Sequence, residues 1–500
     1  MTDVKDDIIQ KLQLENAELQ QHIQALKDTV AKLQRMLFGQ KSEKVIANDA
    51  QMLLPGMEDL FAEKKAAPEE KSHVEAHERT KPAGQPKAGW NGFPEELPRE
   101  ELVVDVPENE REGLEFAGFE TSERLVRRNE YVVQVVKRKK YAKPNKPSFG
   151  VVTAPAPAVP SCFSASSDRC HYDVSVIVHV IAEKLIDAIP FYRQSEMFAR
   201  IGISFGRSAM CDYFIKASNA LAPLFDEMTR MVMACEILHA DETTVKMLYQ
   251  GKTKTCWIWV RKTGLGPPMT VFHFAQDRSK ATAHKILGNY EGTILRDGCP
   301  SYNDLPAEAA GCWAHCRRKF FDAQDNSPEY AHRALELIRQ LYLLERQAKE
   351  EAVKKDGETA LFKMRKRVRS ISAGYVDSYF DLCHEILGKE PPSSAIAKAA
   401  FYSSDREKEL RRFLADARLN IDNNPCENVI RPFCIGRKNW LFVGNENGGT
   451  SMATLASFAA TCKDNGVNFE EWLADVLVRI DTIQASRITE LLPHLWKQLR

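Results

Sequence analysis

Three acidic residues stand in settings where carboxylates do chemistry. Asp241 lies in ILHADETTV, Asp297 in GTILRDGCPSY and Glu427 in IDNNPCENVIRPFCIGRKNWLF. The first two end apolar, strand-like runs, and the third opens a stretch with helical spacing. Carboxylates delivered this way are hard oxygen ligands of the kind Mg²⁺ takes, with Mn²⁺ able to substitute. Two such ions, about 3.5–4 Å apart, clamp the attacking and leaving oxygens of an in-line displacement at phosphorus. Metal-dependent phosphodiester chemistry is therefore the leading expectation, with Asp241 bridging both ions. A lone strand-end Asp is more often a cap or turn residue. Two at matched strand ends in one α/β block weaken that reading. Near the third acid, Arg431 falls one helical turn beyond Glu427 on the same face. Arg431, Arg437 and Lys438 are candidates to hold phosphates, a task suited to a guanidinium. Trp440 reads either as a base-stacking platform or as a core residue.

These residues need elements to carry them. Strand candidates are Ile237–Ala240, Thr255–Arg261, Met269–Phe274 and Thr293–Arg296, with a helix over 279–290 capped by Ser279. Three strands, a helix and a fourth strand is an order found in the ribonuclease H fold. If the first and fourth strands are neighbours, Asp241 and Asp297 converge at one sheet edge. Residues 233–306 are thus the first part of a catalytic core. Residues 307–418, dense in Leu, Arg, Glu and Lys, read as a helical block. The core resumes over 419–449, where LFVGNENGG reads as strand plus turn, and helices follow over 450–500.

Upstream, residues 1–44 carry heptads. Leu12, Leu19, Leu26 and Leu33 occupy d positions; Ile9, Asn16, Ile23, Val30 and Leu37 occupy a. β-Branched residues at a with Leu at d favour a parallel dimer, and a single Asn at a fixes register. The bland alternative is an amphipathic helix packed on its own protein. Residues 45–98 are polar, without periodicity, and read as a linker. Residues 99–160 read as a small β-rich module whose KRKKYAK (137–143) includes Arg138, Lys139 and Lys140, candidates for DNA phosphate contact. Residues 161–232 read as two or three short helices. In them ISFGRSAMCDYF resembles the turn and second helix of a helix-turn-helix, with Gly202 or Gly206 at the turn; a plain helical subdomain fits equally. A second basic run, KMRKRVR (363–369), is either a phosphate contact or a solvated face.

The formal net charge is zero, so any nucleic-acid contact must come from such local runs. No stretch of about 18 uncharged apolar residues suggests a membrane span. The twelve cysteines, with no export signal, point to a reduced cytoplasmic protein. Cys312 and His315 form a C-x₂-H pair with Cys316 adjacent. One such cluster without a matching second pair is thin support for zinc.

Several blocks in order resemble the DDE transposases of the bacterial insertion-sequence-66 family. They are RMLFGQKSEK, LHADET, RDGCPSYN, CWAHCRRKFFDA and DNNPCENVIRPFCIGRKNWLFVGNENGG. The resemblance implies Asp241, Asp297 and Glu427 as a catalytic triad on a ribonuclease H-like core, and picks Glu427 over its rival Asp422. It implies that 307–418 is an insertion domain. It also implies binding of terminal inverted repeats and target DNA, cleavage and strand transfer, and accessory proteins from the same element. The expected setting is the bacterial cytoplasm, on the nucleoid, as a homodimer or higher oligomer. Related chains carry a cysteine-rich zinc module before the helical region; 108–150 here has no cysteine, so zinc is not expected there. The rival readings are an inactive DNA-binding descendant and a ribonuclease H-like nuclease without strand transfer.

Overall fold

A computed structural model of the chain describes residues 140–142, 151–153, 160–164, 172–353 and 358–499. The heptad positions Leu12, Asn16, Leu19, Ile23, Leu26, Val30 and Leu33 lie outside the described residues, as do Arg138 and Lys139. The chain divides into two compact units, Ser42–Pro157 and the remainder. In the first, β1 (Lys140–Ala142) and β2 (Val151–Thr153) pair antiparallel, with Lys140 opposite Thr153.

Among the described residues of the larger unit, five helices come first: α1 (Ser161–Ser164), α2 (Val174–Leu185), α3 (Phe191–Arg200), α4 (Arg207–Ala220) and α5 (Ala222–Met233). Asp173 starts α2 by accepting the Ser175 N–H at 2.9 Å, satisfying a donor the helix itself cannot. Ile177, Val178 and Ile181 then bury one face. Between α3 and α4 the chain turns at Gly202, whose φ of 79° suits glycine. α4 buries Met210, Phe214 and Ala217 in the core.

Then comes a five-stranded mixed sheet in the order β5-β4-β3-β6-β7. Its strands are β3 (Ile237–Tyr249), β4 (Lys252–Thr263), β5 (Thr270–Ala275), β6 (Thr293–Arg296) and β7 (Glu308–Gly311). β3 and β4 form a hairpin whose turn residues, Gln250 and Gly251, both have positive φ (48° and 74°). That conformation matches the right-handed twist of paired strands. Helix α6 (Lys280–Leu287), capped by Ser279 on the Thr282 N–H, crosses over to β6. β6 runs parallel beside β3, so the first and fourth strands are neighbours.

Three expectations change here. β3 runs on to Tyr249, so Asp241 lies within a strand and not at its end. Glu308–Gly311, read as part of a helical block, is a strand. EAAG has no β-branched residue; it is extended because β6 presents an open edge, with Arg296 opposite Gly311. LFVGNENGG contributes only one bridge, Val443 to Met247, before Asn445 caps the next helix on the Gly448 N–H at 2.8 Å.

The two faces of the sheet meet two cores. Leu238, Ala240 and Ile294 face the first, shared with helices on either side of the sheet in sequence. Ile237 and Leu295 face the second. That second core belongs to α7 (Trp313–Ala323), α8 (Pro328–Val353), α9 (Glu358–Lys389), α10 (Ala395–Ser404) and α11 (Glu407–Ala415). Trp313 sits at its centre against Tyr379, Phe380 and Phe413, its indole N–H donating to the Leu410 carbonyl at 3.0 Å. Fully burying such side chains stabilises by about 1.5–3 kcal/mol each. The chain closes with α12 (Asn424–Trp440), α13 (Glu446–Asp464), α14 (Phe469–Arg479) and α15 (Pro493–Leu499).

The basic run 363–369 is a solvated face only in part. Arg365 and Arg369 are buried, and both pair with the buried Glu345 of α8, at 2.9 and 2.8 Å. Only Lys363, Lys366 and Arg367 of the run are exposed basic residues.

Candidate active site

Asp241 and Asp297 are brought together by strand register. β3 and β6 pair in parallel through His239 and Leu295. Continued two residues, that register sets Asp241 level with Asp297, and side-chain alternation gives both the same face. Asp241 accepts the Glu242 N–H at 2.8 Å, and Asp297 accepts the Cys299 N–H at 2.9 Å. Glu427 arrives from the first turn of α12, where Pro425 fits the opening of a helix.

The three carboxylates are electrostatic neighbours. Burial pushes the Asp241 carboxyl up to about 8, and the charges of Glu242, Asp297 and Glu427 add to the shift. Taking a carboxylate out of water and surrounding it with like charge both favour the protonated form. Glu427 Oε2 lies 3.6 Å from Arg318, while its Oε1 is buried with no hydrogen-bond partner among the described residues. A buried acceptor left without a donor is costly, so such atoms mark places where an ion or ligand belongs.

Two positioning systems surround the acids. The first fixes the loop after β6. Buried Arg296 donates to the Cys299 carbonyl at 3.1 Å and to Glu409 of α11 at 3.1 Å. The φ of Gly298 is not positive, and the reason for glycine there is space. A Cβ there would come 2.3 Å from Arg406 Nε and 2.9 Å from the Tyr402 ring.

The second system fixes the start of α12. Asn423 holds the N-cap position but caps nothing. Its amide instead donates to the Ala240 carbonyl at 2.8 Å, and its oxygen lies 3.0 Å from His239 Nδ1. His239 Nε2 lies 3.1 Å from Asn420, which accepts from Arg365 at 2.6 Å. A continuous buried polar chain thus runs from Glu345 through Arg365, Asn420, His239 and Asn423 to the backbone beside Asp241. Burial lowers the His239 pKa to about 4, so the ring is neutral and each nitrogen has one defined role.

The remaining candidates are distributed as follows. Arg431 and Lys438 are exposed on α12. Arg437 Nη1 is committed to β3, bonding Thr243 Oγ1 at 2.8 Å and the Thr244 carbonyl at 2.5 Å, so this nitrogen braces the helix and does not face solvent phosphates. Trp440 is half-buried at the margin of the first core and packs edge-on to Phe433, with centroids 5.5 Å apart. Asp422 is tied to its own helix start through the Asn424 N–H at 3.1 Å.

Glu242 is a residue the sequence did not single out. Its side chain is 1% exposed, paired with Arg278 and bonded by the Tyr302 hydroxyl. One of its oxygens comes within 4.8 Å of an Asp297 oxygen and of Cys299 Sγ. Alternation alone would send it to the opposite face from Asp241. The available signal was a second acid adjoining the first in HADE.

Comparison with known proteins gives three matched segments. Residues 169–451 match the transposase IS66 family, a segment that spans α2 to α5, the sheet, the helical block and α12. Residues 25–102 match a segment described as transposase C of IS166 homeodomain, and 457–494 match the IS66 C-terminal element. Relatives occur in Sinorhizobium fredii (strain NBRC 101917 / NGR234). The uncharacterized protein y4qI is 32% identical, with 93% of this chain and 87% of that protein covered. The uncharacterized protein y4jD is 28% identical, with 96% of each covered. The elements that carry or brace the acids fall inside the first segment, and by this match the chain belongs to the IS66 family of transposases.

Proposed function

We propose that the chain is a DDE transposase that cleaves DNA at the terminal inverted repeats of its element and joins the freed ends to target DNA. The observation that carries this reading is the parallel register of β3 on β6, which sets Asp241 level with Asp297, with Glu427 of α12 near enough to add its charge to the same carboxyl. A strand order of β5-β4-β3-β6-β7, with the first three antiparallel and β6 parallel, supports a ribonuclease H-like core interrupted by a helical insertion.

The donor set fits hard divalent cations: oxygen ligands only, one carboxyl driven toward protonation by burial and then by its acidic neighbours, and one buried oxygen without a donor among the described residues. Asp241, Asp297 and Glu427 would hold Mg²⁺, or Mn²⁺ in its stead. When bound, the ions supply Lewis acidity to the attacking oxygen and to the phosphate. The protein's own part is to hold three negative groups at one edge against their repulsion. Asn423 and Arg296 do so by fixing the two segments that carry Glu427 and Asp297. Arg318 beside Glu427, and exposed Arg431 and Lys438, are suited to phosphate oxygens. No Ser or Tyr nucleophile is required, because water and then the freed 3′-hydroxyl serve as attacking groups. Pairing of two ends fits the heptads of residues 8–37, and accessory proteins of the same element remain expected partners.

The test is incubation of full-length protein with labelled terminal-repeat DNA and Mg²⁺ or Mn²⁺. End cleavage and joined products are expected, both abolished by Asp241→Ala. Cleavage without joining identifies a nuclease instead; binding without cleavage identifies an inactive DNA-binding descendant.

A further inference from the structure

The C-x₂-H pair of Cys312 and His315 lacks a second pair in sequence. In the fold, Glu427 completes it from 112 residues away. Cys312 Sγ, a ring nitrogen of His315 and a Glu427 carboxylate oxygen all lie within 4.8 Å of one another. His315 Nδ1 and Glu427 Oε1 are 3.7 Å apart. That is too long for a hydrogen bond but suits two ligands of one ion with bonds of roughly 2.0–2.2 Å. Both atoms are buried, and neither has a hydrogen-bond partner among the described residues. Cys312 Sγ accepts the Asn423 N–H at 3.2 Å, a contact that favours a thiolate. Cys316 is turned away, buried among the insertion helices.

We propose that Cys312, His315 and Glu427 form a three-ligand site for a borderline-soft divalent cation, Zn²⁺ being the best match, sharing Glu427 with the acidic edge. Sulfur and imidazole ligands select such an ion over Mg²⁺, and three protein ligands leave a fourth position for water. Binding releases the Cys312 thiol proton to solvent as the Zn–S bond forms. Without the ion, the buried thiol stays protonated. Occupancy engages the carboxylate that the proposed reaction needs, so Zn²⁺ opposes Mg²⁺-supported cleavage. Only that consequence rests on the transposase reading; the site itself does not.

Co²⁺ is the probe, titrated into full-length protein in excess Mg²⁺. A thiolate-to-cobalt charge-transfer band saturating at one equivalent is expected. Cys312→Ser removes the band, and Glu427→Gln weakens binding more than tenfold. His315→Ala, at a position whose side chain is 21% exposed, also weakens binding more than tenfold. Cys383→Ser, a buried thiol elsewhere, leaves the band unchanged. Absence of the band, or its survival in both Cys312→Ser and His315→Ala, overturns the site. The readout needs no DNA, so failure of the transposase reading is separately visible as absent cleavage.

Discussion

Asp241 concentrates the conflict between stability and chemistry. Its carboxyl holds a proton up to about pH 8 in the fold, whereas an unfolded Asp loses it near pH ~4. The folded state therefore binds more protons across that window, and stability falls as pH rises through it. Asp241→Asn removes the effect. In metal-chelating buffer its melting temperature should exceed that of the wild type, with a gap that widens from pH 5 to pH 8, while cleavage is lost. A gap that narrows with rising pH would show that the carboxyl is not strained by its surroundings. Asn423 is the complementary case. Asn423→Ala leaves His239 and the Ala240 carbonyl without a buried partner, at about 1–3 kcal/mol by urea unfolding. Because Glu427 shifts with it, turnover should fall far more than DNA affinity. Equal losses in both would reduce Asn423 to a purely structural role.

At the scale of elements, the helical insertion is bolted to the sheet edge. Gly298 lies against the side chains of Arg406 and Tyr402, so Gly298→Ala must displace those side chains or the Asp297 loop. Loss of cleavage with a melting temperature lowered by several degrees is expected; wild-type activity would show that the loop yields freely. The Glu345–Arg365–Arg369 cluster ties α8 and α9 to the 413–420 segment through the Phe413, Asp416 and Leu419 carbonyls. Arg369→Met leaves Glu345 its pair with Arg365 but takes the donor from those three carbonyls, so it should cost at least about 1–3 kcal/mol in denaturant unfolding, the penalty of a buried acceptor left unmatched. Much of this layout was legible in sequence. Apolar runs ending at Ala240 and Arg296 located the two central strands, and Ser279 marked a helix start. EAAG as a strand was not legible, because its extended form comes from the edge beside it. Nor was the burial of Arg365 and Arg369, because five basic residues in seven describe composition and not the acid that faces them.

For the whole molecule, among the described residues no helix is long and apolar enough to cross a membrane. The expected dimer rests on heptads that lie outside those residues. Leu19→Glu with Leu26→Glu puts charge at two d positions, so sedimentation should report a shift from dimer to monomer; an unchanged mass would assign assembly to another surface. By itself, the sequence nominated the three acids, located four of the five strands of the sheet, marked a helical block between the second and third acid, and carried the family blocks. These are local: periodicity, capping and motif need only neighbours in the chain. Tertiary structure alone decided that Asp241 sits level with Asp297, that Asn423 grips β3 instead of capping α12, and that Glu427 meets Cys312 and His315. Each depends on register or on packing between segments more than fifty residues apart, and no local pattern carries that information.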